Sequence, residues 1–114
     1  SKGELPNVNV KKINKKNVYL EFEIYEKNQK IFLVKNNQLG FWDGLWIMPI
    51  AETKHLKTEL IHKLSHRNLH ISFANRSKDE LKSEGKWFDI AQLSKLPTPK
   101  PISDKLSVYV QNFL

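Results

Sequence analysis

The sequence predicts an α+β domain in which a mixed β-sheet carries one short helix and a longer C-terminal amphipathic helix. Three observations carry that expectation. Val18, Leu20, Phe22 and Ile24 alternate with Tyr19, Glu21, Glu23 and Tyr25, the period-2 signature of a strand with one buried and one solvent face. Ile31-Phe32-Leu33-Val34 is apolar on both faces, as suits a central strand covered on both sides. Ile102, Leu106, Tyr109, Val110 and Phe113 fall on one helical stripe, which needs a sheet to pack on.

The elements follow in order. Residues 1–17 are polar and basic, with Lys11, Lys12, Lys15 and Lys16 spaced among asparagines, and read as an arm entering a domain that spans residues 18–114. The strand from Val18 and the strand Ile31 to Val34 are separated by the polar break Glu26 to Lys30, so a hairpin is expected. Asn36 to Gly44 is a loop containing Gly40 and Gly44; Leu45 to Met48 follows as a strand stopped by Pro49, which has no backbone donor. Residues 50–67 show no clean period. Leu69, Ile71 and Phe73 alternate with His70 and Ser72 as a half-buried strand, and Gly85 to Phe88 reads as a short one. Asp89 is placed to cap a short helix with Ile90, Leu93 and Leu96 on its apolar side. The proline-rich Leu96 to Pro101 is an ordered connection into the final helix.

Composition narrows the function. A chain of 114 residues fits one core, and 39% hydrophobic residues suffice to fill it. With 19 Lys and Arg against 12 Asp and Glu, the net charge of +7 favours polyanionic partners. The apolar runs are far shorter than the roughly 20 residues that cross a bilayer, so the expectation is a soluble, cytoplasmic, nucleoid-associated protein with no membrane partner. The absence of cysteine excludes disulfides, thiolate metal sites, a catalytic thiol and a cysteine-ligated iron–sulfur cluster within the chain.

Three segments in order point further. Leu39-Gly40-Phe41-Trp42-Asp43-Gly44-Leu45-Trp46-Ile47-Met48-Pro49 resembles the Gly-x-Trp-x-Gly-Leu-Trp-x-x-Pro stretch of the Nudix-like C-terminal domain of MutY-type adenine DNA glycosylases. Leu64-Ser65-His66-Arg67-Asn68-Leu69-His70-Ile71 is similar to that family's Phe-Ser-His loop and following strand. Gly85-Lys86-Trp87-Phe88 through Leu96-Pro97-Thr98-Pro99 matches its third segment. Two departures stand out: Leu64 occupies the usual Phe position, and Pro49 to Ser65 is short enough that the connecting helix of relatives is trimmed or lost.

The resemblance implies a non-catalytic module that recognises 8-oxoguanine opposite adenine in double-stranded DNA, working with an N-terminal catalytic domain that carries a 4Fe-4S cluster. No cofactor is expected in this chain. A Nudix hydrolase requires Gly-x5-Glu-x7-Arg-Glu-x2-Glu-Glu to hold divalent cations on a diphosphate. Here the residue six after Gly40 is Trp46, the residue six after Gly44 is Ile50, and no Glu-Glu pair exists, so no catalytic residue is assigned. Oxidation at C8 turns the N7 acceptor of guanine into a donor and adds a carbonyl, and a serine hydroxyl can both accept and donate. By resemblance, Ser65 contacts the lesion, while His66 and Leu64 shape its loop. Without the resemblance, Ser65 reads first as a hydroxyl capping a turn, and only the resemblance reverses that order. Lys54, Lys57, Lys63 and Arg67 flank the loop as candidate phosphate contacts.

His62, His66 and His70 recur every four residues and so share a face of one strand or helix. No carboxylate or thiolate matches them, and no metal site is assigned. Trp42, Trp46 and Trp87 are read as packing residues before stacking platforms. The readings kept open are a degenerate Nudix hydrolase acting on nucleotides and a basic module binding RNA or a protein.

Overall fold

The computed structural model describes residues 15–113. Most of the arm, with Lys11 and Lys12, lies outside them. The described residues form a mixed six-stranded sheet with one α-helix, in agreement with the α+β expectation.

Strand β1 (Lys16–Lys27) begins two residues before the alternation does, because Lys16 and Asn17 already pair with the next strand in the sheet. That neighbour is β5 (Arg67–Arg76), parallel to β1 from Lys16↔Arg67 to Tyr25↔Arg76. The expected hairpin joins β1 to β2 (Lys30–Lys35). Its turn residues Asn28 and Gln29 have φ of 51° and 62°, the left-handed pair that a type I′ turn demands. β2 is central as its apolar run requires: β1 and β3 (Trp46–Ile47) share one edge, and β6 (Lys86–Asp89) takes the other. β3 is only half of the stretch Leu45 to Met48.

Four expectations need correction. The stretch without a period hides β4 (Leu60–Lys63), an antiparallel edge strand on β5. The short helix Ile90–Lys95 is a 3-10 helix; Ile90 and Leu93 are buried as expected, but Asp89 makes no side-chain capping bond and faces Lys30 at 3.9 Å. In α1 (Lys100–Phe113) the buried stripe is Ile102 and Leu106 with Tyr109 and Val110 half-buried, while Phe113 is exposed. Glu21, which the alternation assigns to solvent, is only 2% exposed.

The core lies between α1 and one face of the sheet, where Leu20, Phe22, Ile24, Leu69 and Ile71 are buried. Each such side chain contributes about 1.5–3 kcal/mol relative to exposure. Lys105 of α1 lies over the Phe73 ring at 5.0 Å, and the Tyr109 hydroxyl meets Asn75 Oδ1 at 3.3 Å, which seats the helix along β5. The opposite face carries no α-helix among the described residues; a single 3-10 turn, Lys78–Glu80, lies at its Arg76 end. It is crossed by an irregular strap, residues 51–59. The Ala51 N–H donates to the Glu21 carbonyl at 2.8 Å at one end, and the Glu59 N–H donates to the Ile71 carbonyl at 2.7 Å at the other.

Candidate nucleic-acid interface

The β4–β5 connection is a tight turn because the Leu64 N–H donates to the Arg67 carbonyl at 2.8 Å. Two residues remain at the tip, Ser65 and His66, and both are exposed. Leu64 is half-buried and packs against the core, so it anchors the turn from inside. The His66 carbonyl accepts from the Lys16 N–H at 3.0 Å, which fastens the start of β1 to the tip. Lys63 is exposed on one side, and on the other the Arg67 guanidinium lies 5.2 Å over the Phe41 ring.

Phe41 is delivered by the loop between β2 and β3, whose shape has a specific cause. Buried Asn36 donates from Nδ2 to the carbonyls of Phe41 and Trp42 at 2.7 and 3.0 Å, and its Oδ1 accepts from the Gln38 N–H at 3.2 Å. The loop passes through Gly40 and Gly44, each at φ 81°, and Trp42 at φ 60°. A bulky residue in the left-handed region costs on the order of 1–3 kcal/mol and persists only where its surroundings hold it. Here the indole packs against Phe41 at 5.2 Å and against His62 at 5.9 Å. The loop and the hairpin tip therefore meet at one end of the molecule.

Of the residues singled out in the sequence, Lys63, Leu64, Ser65, His66 and Arg67 share this hairpin. Lys54 and Lys57 lie instead on the strap, which crosses at the level of Glu21, four residues along the strand and about 13 Å from the Asn17 row at ~3.3 Å per residue. Lys54 is turned back on its own segment, its Nζ donating to the Leu56 carbonyl. The three histidines do not share a face. His62 packs with Trp42, His66 sits at the tip, and His70 stacks on Tyr19 across the sheet, because a turn interrupts the spacing and His62 pairs with Leu69 on the core side. Among the described residues no three of His, Cys, Asp or Glu come together to hold a metal ion. Trp46 packs edge-on to Phe88 at 4.9 Å and Trp87 edge-on to Phe32 at 5.3 Å, as the packing reading requires.

On the strap face, Glu21 organises a second polar region. Its Oε1 accepts from the N–H groups of His55 and Leu56 at 2.8 and 2.7 Å, and the Arg76 guanidinium stands 3.7 Å from Oε2. Burial raises the carboxyl pKa, but the two backbone donors and the charges of His55 and Arg76 outweigh it and hold it below 4.5. Arg76 also faces Glu23 at 3.4 Å and Glu80 at 3.9 Å. Burial and then Glu23, which accepts from the Tyr25 hydroxyl at 3.1 Å, push the Tyr25 pKa up to about 12. Glu23, Tyr25, His55, Arg76 and Glu80 line a cleft of about 670 Å³ in which the arginine is already shared among carboxylates.

No protein-family model matches the chain, and no curated protein matches it either. Among the described residues no helix is long and apolar enough to cross a membrane. The interface thus rests on its own geometry: an exposed hydroxyl and imidazole on a turn, two flanking cations, and an aromatic loop packed behind them. Phe41 and Asn36 are the parts that sequence reasoning missed.

Proposed function

We propose that the chain is a Nudix-like lesion-recognition domain of the kind found in MutY-type adenine glycosylases, reading 8-oxoguanine through the hairpin tip Ser65-His66. The observation that carries this reading is the turn itself: its two tip residues are exposed while Leu64 anchors it in the core. The order of the three motif segments along the chain supports it, as does the pair Lys63 and Arg67 beside the tip, suited to phosphate contacts that set register without reading bases. The Ser65 hydroxyl would accept from N7–H of the lesion and donate to its O8. The partner is double-stranded DNA containing 8-oxoguanine opposite adenine, and adenine excision would belong to a separate catalytic domain with its iron–sulfur cluster.

The test is competition binding of the chain to short duplexes that differ only in 8-oxoguanine or guanine opposite adenine. A neutral hydrogen bond is worth about 0.5–1.5 kcal/mol, so Ser65→Ala should reduce the preference for the lesion several-fold. Ser65→Ala with His66→Ala should reduce it further while leaving binding to the undamaged duplex nearly unchanged. Equal losses on both duplexes would make the tip a backbone contact, and unchanged preference would remove Ser65 from the site.

A further inference from the structure

The strap leaves part of its sheet face uncovered. Between the strap and the hairpin tip, Tyr19 is 57% exposed and Ile61 52% exposed, values reached by few large apolar side chains of this chain. They share a row across three strands, since Tyr19 pairs with His70 and His70 with Ile61. The Tyr19 and His70 rings are stacked, 4.5 Å between centroids and 20° between planes. Asn17 Oδ1 lies 3.0 Å from His70 Nε2 and fixes the imidazole. Neighbouring strands run about 4.8 Å apart, so rings this close and this parallel stand upright on the sheet with their faces toward each other. One face of Tyr19 is then against His70, the only ring packed on it among the described residues, and the 57% exposure of the residue leaves the other face to solvent.

We propose that this face is a stacking platform for an unpaired base of single-stranded nucleic acid, with the free face of Tyr19 receiving the base. The charge around it suits that occupant. Lys63 stands on the same face one step toward the tip, Lys16 opens β1, and Lys57 is exposed on the strap. The positions of this face between strap and tip, on β1, β4 and β5, are Asn17, Tyr19, Ile61, Lys63, Asn68 and His70, none of them acidic. Lysines at the rim take phosphates, and an aromatic ring takes any base, because every base has a π-face. An upright ring on a sheet reaches only a base that has left its helical stack, which selects single strands over duplex. The inference does not depend on what Ser65 reads, since the tip serine lies outside this row.

The experiment titrates the chain with a fluorescein-labelled oligothymidylate and, separately, a blunt duplex, following anisotropy. Tyr19→Ala should weaken oligothymidylate binding about tenfold, Tyr19→Phe should keep it, and neither should alter duplex binding. Ser65→Ala with His66→Ala should bind oligothymidylate as the wild type does. The Tyr19 ring protons should also move upfield on titration in NMR spectra. The proposal fails if the wild-type chain does not bind oligothymidylate, if folded Tyr19→Ala binds it equally well, or if the ring resonances do not move. Capture of a protein at the same row, with oligothymidylate ignored, would overturn it as well.

Discussion

Glu21 shows how one side chain can hold a segment that has no secondary structure of its own. Its carboxylate ties the strap to β1 by accepting two backbone N–H groups at once, and hydrogen bonds to charged groups are worth about 1.5–3 kcal/mol each. Because its folded pKa is below the unfolded value near 4.5, the stabilisation is fully present above that value and is lost as pH falls through the folded one. Thermal melts should therefore show the wild type losing more stability than Glu21→Gln between about pH 5 and pH 3, with Glu21→Gln the less stable of the two near neutrality. Parallel pH profiles would contradict this. A different test applies at Trp42, where the left-handed backbone and the indole contacts oppose each other. Trp42→Gly and Trp42→Ala both remove the ring, but glycine adopts φ 60° without a Cβ penalty. Chemical denaturation should place Trp42→Gly above Trp42→Ala by about 1 kcal/mol. Equal stability would mean that the loop relaxes once the indole is gone.

Among the elements, β6 depends on a residue with no side chain. A Cβ on Gly85 would run into the Leu33 carbonyl oxygen and meet Val34 Cγ1 at 2.9 Å, so the chain can enter beside β2 only as glycine. Gly85→Ala should cost about 1–3 kcal/mol, the range for overpacking, and loosen the β2–β6 amides first in hydrogen exchange. Uniform protection loss across the sheet would point instead to global destabilisation. How much of this was legible follows from periodicity. β1 and α1 announce themselves because each carries a regular apolar period, and β2 because its run Ile31 to Val34 is apolar on both faces. β4 does not: it is four residues long, contains His62 and Lys63, and owes its place to pairing with β5. The short helix was legible as a turn burying Ile90 and Leu93, but its 3-10 geometry was not, because two buried residues three apart suit a 3-10 turn and an α-turn alike. The tip at Ser65 and His66 could be located by motif. Its backing by Phe41 could not, because that contact depends on the buried hydrogen bonds of Asn36 and on a left-handed tryptophan. Tyr19 reads only as a solvent-face residue until parallel register sets it against His70.

On the proposed reading, the net charge of +7 predicts a salt-dependent DNA affinity, and the fold divides the cations into groups. Each phosphate contact contributes a slope of roughly 0.9 in log affinity against log salt. Lys63 and Arg67 flank the tip, whereas Lys54 is occupied with its own strap, so replacing the hairpin pair with alanine should flatten the duplex salt slope by up to about 2, and replacing Lys54 and Lys57 should flatten it less. The reverse order would move the DNA face onto the strap. A last consequence follows from the parallel pairing of β1 with β5. The two strands are about fifty residues apart in the chain, and the pairing between them is the longest in the sheet. Non-local pairing delays folding, since loop closure must precede any reward. The β1–β2 hairpin can form early, but the long edge of β1 stays bare until residue 76 has been made, and a bare edge is a template for another chain. During synthesis that interval is when the protein is most exposed to aggregation, and a slowing of translation between β2 and β5 should lower the soluble yield without changing the stability of the finished fold.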